Sequence, residues 1–170
     1  IVLSDTILHF YSPEEIEVVM AHELGHQRHR DILRLMLLQS VLMLLGFYLV
    51  NLVLNWATPR LDLEGVSDVA AFPLLAFVLA AFALVLMPLV NAYSRHVEES
   101  ADRFSLATTA NPEAFATMLT KLTDQNLSES KPSRWSELLF YDHPTYNERV
   151  KLARNYASRL GEARQSEEAF

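Results

Sequence analysis

The sequence predicts a mainly α-helical membrane protein in which a transmembrane helical hairpin is inserted between two polar helical segments. Three observations predict it. Residues 35–56 carry no charged side chain, and neither do residues 69–94. Each run is long enough to cross a bilayer, which takes about 20 residues at about 1.5 Å per residue. Between them "ATPRLDLEGVSD", with Pro59 and Gly65, reads as a short solvent-facing turn. The bulk composition agrees, since 51% of the 170 residues are hydrophobic and the mean hydropathy is +0.11, high for a soluble chain. The alternative is a buried helix pair in a soluble bundle. A chain of this length could hardly surround two charge-free helices with polar partners.

Residues 1–33 make up the first polar region. "IVLSDTIL" is apolar and β-branched and suggests a short strand. In "YSPEEIEVV", Ser12 as N-cap, Pro13 at the first helical position and Glu15 three residues after the cap form a capping box, so a helix starts at Pro13. No Gly or Pro after Gly25 stops it before Arg34, and it is expected to flow into the apolar run. Transmembrane helices are placed at 34–57 and 69–93, joined by a non-cytoplasmic loop at 58–68. Pro73 and Pro88 lie near the ends of the second run, where a missing N–H matters least.

A helical region at 94–162 follows. It begins with a polar helix to about Thr109, then a helix in "NPEAFATMLTKL" capped by Asn111. A loop at "TDQNLSESKPS" precedes a last helix in "HPTYNERVKLARNYASRL". Residues 163–170 read as a frayed tail. Arg28, Arg30, Arg34, Arg95 and Arg103 flank the hairpin on one side, whereas the loop sets Arg60 among Asp62, Glu64 and Asp68. The positive-inside rule then places the histidine-bearing side in the cytoplasm.

The net charge of −7 and the lack of a basic stripe speak against nucleic acid as a partner. With no cysteine there is no disulfide framework, and a metal would be held by histidine and carboxylate. No signal peptide precedes the first apolar run, and a chain opening on Ile1 is expected to be a fragment of a longer one.

The chemistry is concentrated just ahead of the first apolar run. His22 and His26 are four residues apart, so their imidazoles project from one helical face one turn apart, with Glu23 beside them. This is the H-E-x-x-H pattern, in which two histidines bind zinc and the glutamate serves as general base. Gly25 points to something packed closely across this helix, since a mid-helix glycine costs about 1 kcal/mol against alanine. A polar face of surface histidines would also account for the pair, and it would include His29, which cannot share an ion with the other two.

A catalytic zinc takes three protein ligands and keeps one position open. The third is sought after the second apolar run, in "NAYSRHVEESADRF". There Glu98 and Asp102 share a helical face, while Glu99 and Arg103 make an ordinary i, i+4 ion pair. Glu98 is the expected third ligand, and Asp102 the acceptor that orients a ligand imidazole. An antiparallel hairpin returns the chain to the membrane face it left, which would bring Glu98 to His22 and His26. One zinc ion per chain, just outside the lipid, is the expected cofactor.

Three motifs, "AHELGH", "SRHVEESAD" and "DHPTYNERV", resemble in order the successive motifs of the M48 metallopeptidases, the family of the CAAX prenyl proteases and the HtpX-type heat-shock proteases. The stretch from "VLSDTIL" to "AHELGH" is more similar to the CAAX branch. The resemblance implies a zincin-like metalloprotease fold, with zinc on His22, His26 and Glu98, Glu23 as base and proton shuttle, and Asp102 behind the ligands. It also implies that His143 lies in the cleft and stabilises the oxyanion, with Arg149 supporting that region. Read without the family, His143 ahead of Pro144 is explained by helix N-capping. Two departures stand out: the family continues upstream with further membrane helices and a cleft strand, and Glu99 replaces the aromatic often found after the ligand glutamate.

The expected activity is that of a zinc-dependent membrane endopeptidase hydrolysing peptide bonds near the cytoplasmic membrane face. Its partners would be a peptide or membrane-protein substrate and the lipid bilayer. Within that class, a CAAX-type C-terminal processing protease competes with a broad quality-control protease. Outside it stands a zinc-stabilised membrane scaffold without activity. Oligomeric state has no signature in the sequence.

Overall fold

The computed structural model describes residues 5–125 and 133–168, and none of these is in a strand. Helix α1 spans Asp5–Phe10 where the later half of a strand was expected, with Asp5 favourably placed in its first turn. Residues 1–4 of that expected strand lie outside the described residues. Helix α2 spans Pro13–His29 and starts at the expected capping box: Ser12 Oγ accepts from Glu15 N at 3.3 Å, and Glu15 Oε2 accepts from Ser12 N at 2.8 Å.

The expected run-on into the apolar segment does not occur. Arg30 adopts a left-handed conformation, φ 55° and ψ 42°, and its N–H turns back to the carbonyl of Gln27. Helix α3 then starts afresh and spans Asp31–Ala57. Short 3₁₀ turns at Thr58–Arg60 and Val69–Ala71 bracket the connection, and Asp68 caps the second by accepting from Ala70 N at 2.9 Å.

Helix α4 is a single helix over Phe72–Thr109, about 57 Å long at 1.5 Å per residue. It continues well past the end of the charge-free run. Pro88 therefore falls inside a helix, which neighbouring apolar helices tolerate far better than a water-exposed setting does. Helix α5 spans Pro112–Gln125, with Asn111 Oδ1 accepting from Ala114 N at 3.0 Å. The expected loop after it lies mostly in residues 126–132, outside the described residues.

Helix α6, Arg134–Phe140, has no counterpart in the sequence reading. Helix α7 spans Tyr146–Glu168 and so runs through most of the segment read as a frayed tail, where Glu, Ala, Arg and Gln are all good helix formers. Its N-terminus is capped reciprocally by Thr145 and Glu148, whose carboxylate accepts from Thr145 N at 3.0 Å. That removes capping as the reason for His143.

The chain divides into two compact units, one of Ile1–Asp31 with Asn91–Phe170, the other of Ile32–Val90. In the first, α5 packs against both α2 and α7 around Val18, Leu106, Phe115, Met118 and Ala153. Lys121 reaches from α5 to the α2 cap, its Nζ 2.6 Å from Glu15 Oε2. In the second, α3 and α4 run antiparallel about Val50, Leu54, Ala71 and Val78, and Gly46 lets the Phe82 ring approach the α3 backbone. Only 17% and 11% of the most apolar windows of these helices are buried, the reverse of a soluble core helix. Their apolar side chains face outward, as a lipid environment demands.

Candidate metal centre and cleft

Helix α2 aims His22 and His26 from one face, because they lie one turn apart. The C-terminal half of α4 crosses that face closely. A Cβ on Gly25 would meet the Ala101 Cα at 3.2 Å and the Phe104 ring at 3.2 Å, so any larger residue would push the two helices apart by a few tenths of an ångström. Ser105, fully buried, fixes the same crossing by donating to the carbonyl of Val18 at 2.8 Å.

At this crossing the three side chains converge. His22 Nε2 and His26 Nε2 are 3.1 Å apart, His22 Nε2 is 3.5 Å from Glu98 Oε2, and His26 Nε2 is 3.4 Å from Glu98 Oε1. His29 points elsewhere, toward Ser100 Oγ at 3.4 Å and the edge of Phe104. Glu99 pairs with Arg103 at 2.6 Å on the exposed face.

The opposite nitrogens of both rings face carboxylates. His26 Nδ1 lies 3.0 Å from Asp31 Oδ2, and His22 Nδ1 lies 2.9 Å from Asp102 Oδ1. The second approach is off the line of the ring N–H, so it is an ion-pair contact more than a straight hydrogen bond. Carboxylates only accept, so each Nδ1 carries the proton and each Nε2 presents its lone pair. Two lone pairs facing across 3.1 Å, beside a carboxylate, call for a cation between them. Zinc–ligand bonds of about 2.0–2.1 Å in tetrahedral array would separate ligand atoms by about 3.3 Å. The residues present therefore fit a zinc ion.

Asp102 has no exposed surface and is gripped by Arg149, with Nε to Oδ2 at 2.7 Å and Nη2 to Oδ1 at 2.6 Å. Burial alone would raise its pKa, but the contacts with His22 and the charge of Arg149 outweigh it and lower the pKa. For His22, burial works against the charged ring, yet the contacts with Asp102 and Glu98 prevail and raise its pKa to about 9, so at neutral pH a cation reaches the Nε2 lone pair by displacing a proton. Burial of Glu98 is likewise outweighed by contacts with His143 and His22, which hold its carboxyl well below the usual range.

His143, on the segment entering α7, places Nδ1 3.1 Å from Glu98 Oε2, and that contact raises its pKa. Of these groups His22, Glu98, His143 and Arg149 face a cleft of about 700 Å³. His22, Glu23, Glu98 and His143 line one side of it, and Val19, Leu119, Leu122 and Tyr146 give it an apolar side. Glu23 is exposed at its edge and makes no hydrogen bond to another described residue.

The sequence reading gave no role at the site to three of the residues that shape it. Asp31 is buried at the start of α3 and touches the ring of His26. Arg95 Nη1 donates to the carbonyls of Glu137 at 3.2 Å and Tyr141 at 2.7 Å, and Asn91 Nδ2 donates to that of Leu139 at 2.6 Å. These two side chains bind the segment leading to His143 onto α4.

Among curated proteins, the chain is similar to the uncharacterized metalloprotease YhfN of Bacillus subtilis, 32% identical over 90% of this chain and 37% of that protein. It is similar also to a protease HtpX homolog of Syntrophotalea carbinolica, 32% identical over 89% of this chain and 60% of the relative. The chain thus spans roughly a third to three fifths of the length of these relatives. Among solved structures, the S. mikatae Ste24p crystal structure shares the fold with a TM-score of 0.75, at 22% identity, over 89% of this chain and 39% of that one. Residues 1–157 match the description Peptidase family M48, a stretch that takes in the helices carrying His22, His26 and Glu98, the hairpin between them and the His143 segment, and the chain therefore belongs to peptidase family M48.

Proposed function

We propose that the chain carries the catalytic centre of a zinc-dependent membrane endopeptidase, cleaving peptide bonds near the cytoplasmic membrane face. One observation carries the reading: two imidazole Nε2 atoms lie 3.1 Å apart, with Glu98 oxygens at 3.4 and 3.5 Å, and His22 and Glu98 of this cluster line a cleft edged by an unencumbered Glu23. His22, His26 and Glu98 hold one zinc. The chemistry such an ion supplies is polarisation of the scissile carbonyl and a lowered pKa for the attacking water.

The chain's own groups do the rest. Glu23 takes the proton of the attacking water and passes it to the leaving amine. His143, placed in the cleft beside Glu98, donates a ring N–H to the oxyanion that develops on the substrate. Asp102 and Asp31 fix the ring orientations of His22 and His26, and Arg149 neutralises the buried Asp102. The substrate is a peptide or membrane protein presented at the lipid surface, and the arginines flanking the hairpin support a cytoplasmic site.

The test pairs metal analysis with cleavage of an unfolded protein substrate. Glu23→Gln should keep one equivalent of zinc and lose turnover by about 10²–10⁴-fold. A variant that cuts at the parental rate would refute the assigned base, and protein without zinc would point to a different centre. Comparing a prenylated peptide with a denatured membrane protein then separates C-terminal processing from quality control. The open cleft beside the ligands argues against an inert scaffold.

A further inference from the structure

Helix α6 is short and conspicuously apolar at its surface. Of its seven residues, Trp135 is 75% exposed, Leu138 39% and Phe140 70%. Phe140 turns toward the cleft, which leaves Trp135 and Leu138, three apart and so on one face, as the apolar side chains α6 exposes away from it. What locates this face is its attachment. Asn91 and Arg95 of α4 hold the carbonyls of Leu139, Glu137 and Tyr141. Those two residues bracket the point where the charge-free run ends, for Ser94 is its last member and Arg95 the first charge beyond it.

We propose that α6 is an interfacial anchor, with Trp135 and Leu138 seated in the headgroup region of the bilayer that α3 and α4 cross. The inference rests on the membrane reading of that hairpin. At about 10 Å the helix is far too short to cross about 30 Å of hydrocarbon, so it lies on the surface. Tryptophan suits that layer, where its ring is sheltered and its N–H stays wet. The lipid surface is the favoured occupant because α6 is tied to α4 through Asn91 and Arg95, where the charge-free run of that helix ends. A soluble partner would have no reason to sit at that level. The consequence reaches the chemistry: the residues after α6 carry His143 to Glu98, so anchoring α6 would hold the cleft mouth at the membrane surface.

The chain has only two tryptophans, Trp56 and Trp135, which makes the test direct. The full chain is reconstituted in phosphatidylcholine vesicles with acyl chains brominated at shallow or deep positions. W56F leaves Trp135 as the reporter, and W135F leaves Trp56, near the end of α3, as the control for insertion. Trp135 emission should be blue-shifted and lose intensity, more with shallow than with deep bromines. Water-like, unquenched Trp135 emission alongside a quenched Trp56 overturns the anchor and leaves the hairpin reading intact. Blue-shifted but unquenched Trp135 emission overturns it in favour of a second copy or another protein covering the face. If neither tryptophan is quenched, both the anchor and the membrane reading fall.

Discussion

The ring of His26 is aimed by Asp31, a residue that no spacing rule selects. On a continuous helix a residue five positions on lies about 140° around the axis and cannot reach back. The left-handed Arg30 breaks that geometry and returns the carboxylate of Asp31 to within 3.0 Å of His26 Nδ1. Asp31→Asn keeps the volume but can no longer hold the Nδ1 proton as firmly, so zinc affinity should fall by about 10–100-fold. Competition with a chromophoric chelator measures it, and unchanged affinity would reduce Asp31 to a helix-start residue. His22, Glu23 and His26 were legible because one turn of helix carries their whole relation. Glu98 and Asp102 were legible because the hairpin returns the chain to its starting face. Asp31 was hidden by a backbone conformation that usually belongs to glycine and that Arg30 adopts here.

Among the elements, the ones read correctly announce themselves locally. Ser12 with Glu15 and Asn111 with Ala114 N are caps visible in the chain itself. Helix α6 is short, and the contacts that seat it come from Asn91 and Arg95, far away in sequence, so no window of local sequence contains its cause. The α2–α4 crossing is set by Gly25, since the backbone of Ala101 cannot retreat cheaply from an added Cβ. Gly25→Val should therefore cost about 1–3 kcal/mol through overpacking, despite the loss of a flexible residue from a helix. It should also weaken zinc binding, because the crossing sets the His26–Glu98 separation. Gly161→Ala in α7, where a Cβ meets nothing within 4 Å, is the control and should stabilise by up to about 1 kcal/mol. Thermal unfolding of the two variants checks the pair. A Gly25→Val protein as stable as the parent would mean that the helices can part without consequence.

At the scale of the whole molecule, the hairpin solves one problem and creates another. It lets residues on either side of Ile32–Val90 meet in one unit, but it leaves that unit built from two separate stretches of chain, Ile1–Asp31 and Asn91–Phe170. Its core joins them through Val18, Leu106 and Phe115, and the proposed zinc would add a second tie through His22, His26 and Glu98. A ligand that binds only the folded form stabilises by RT ln(1 + [L]/Kd), about 4 kcal/mol at a thousandfold excess over Kd. Removing zinc should withdraw that support only where the ligands sit. Hydrogen exchange after chelation should therefore accelerate in α2 and in the part of α4 around Glu98. Amides of the hairpin around Val50 and Val78, whose packing involves no ligand, should keep their protection. If the hairpin lost protection equally, the two units would unfold as one. If α2 lost none, the cation would be a passenger on a crossing already held by Gly25 and Ser105.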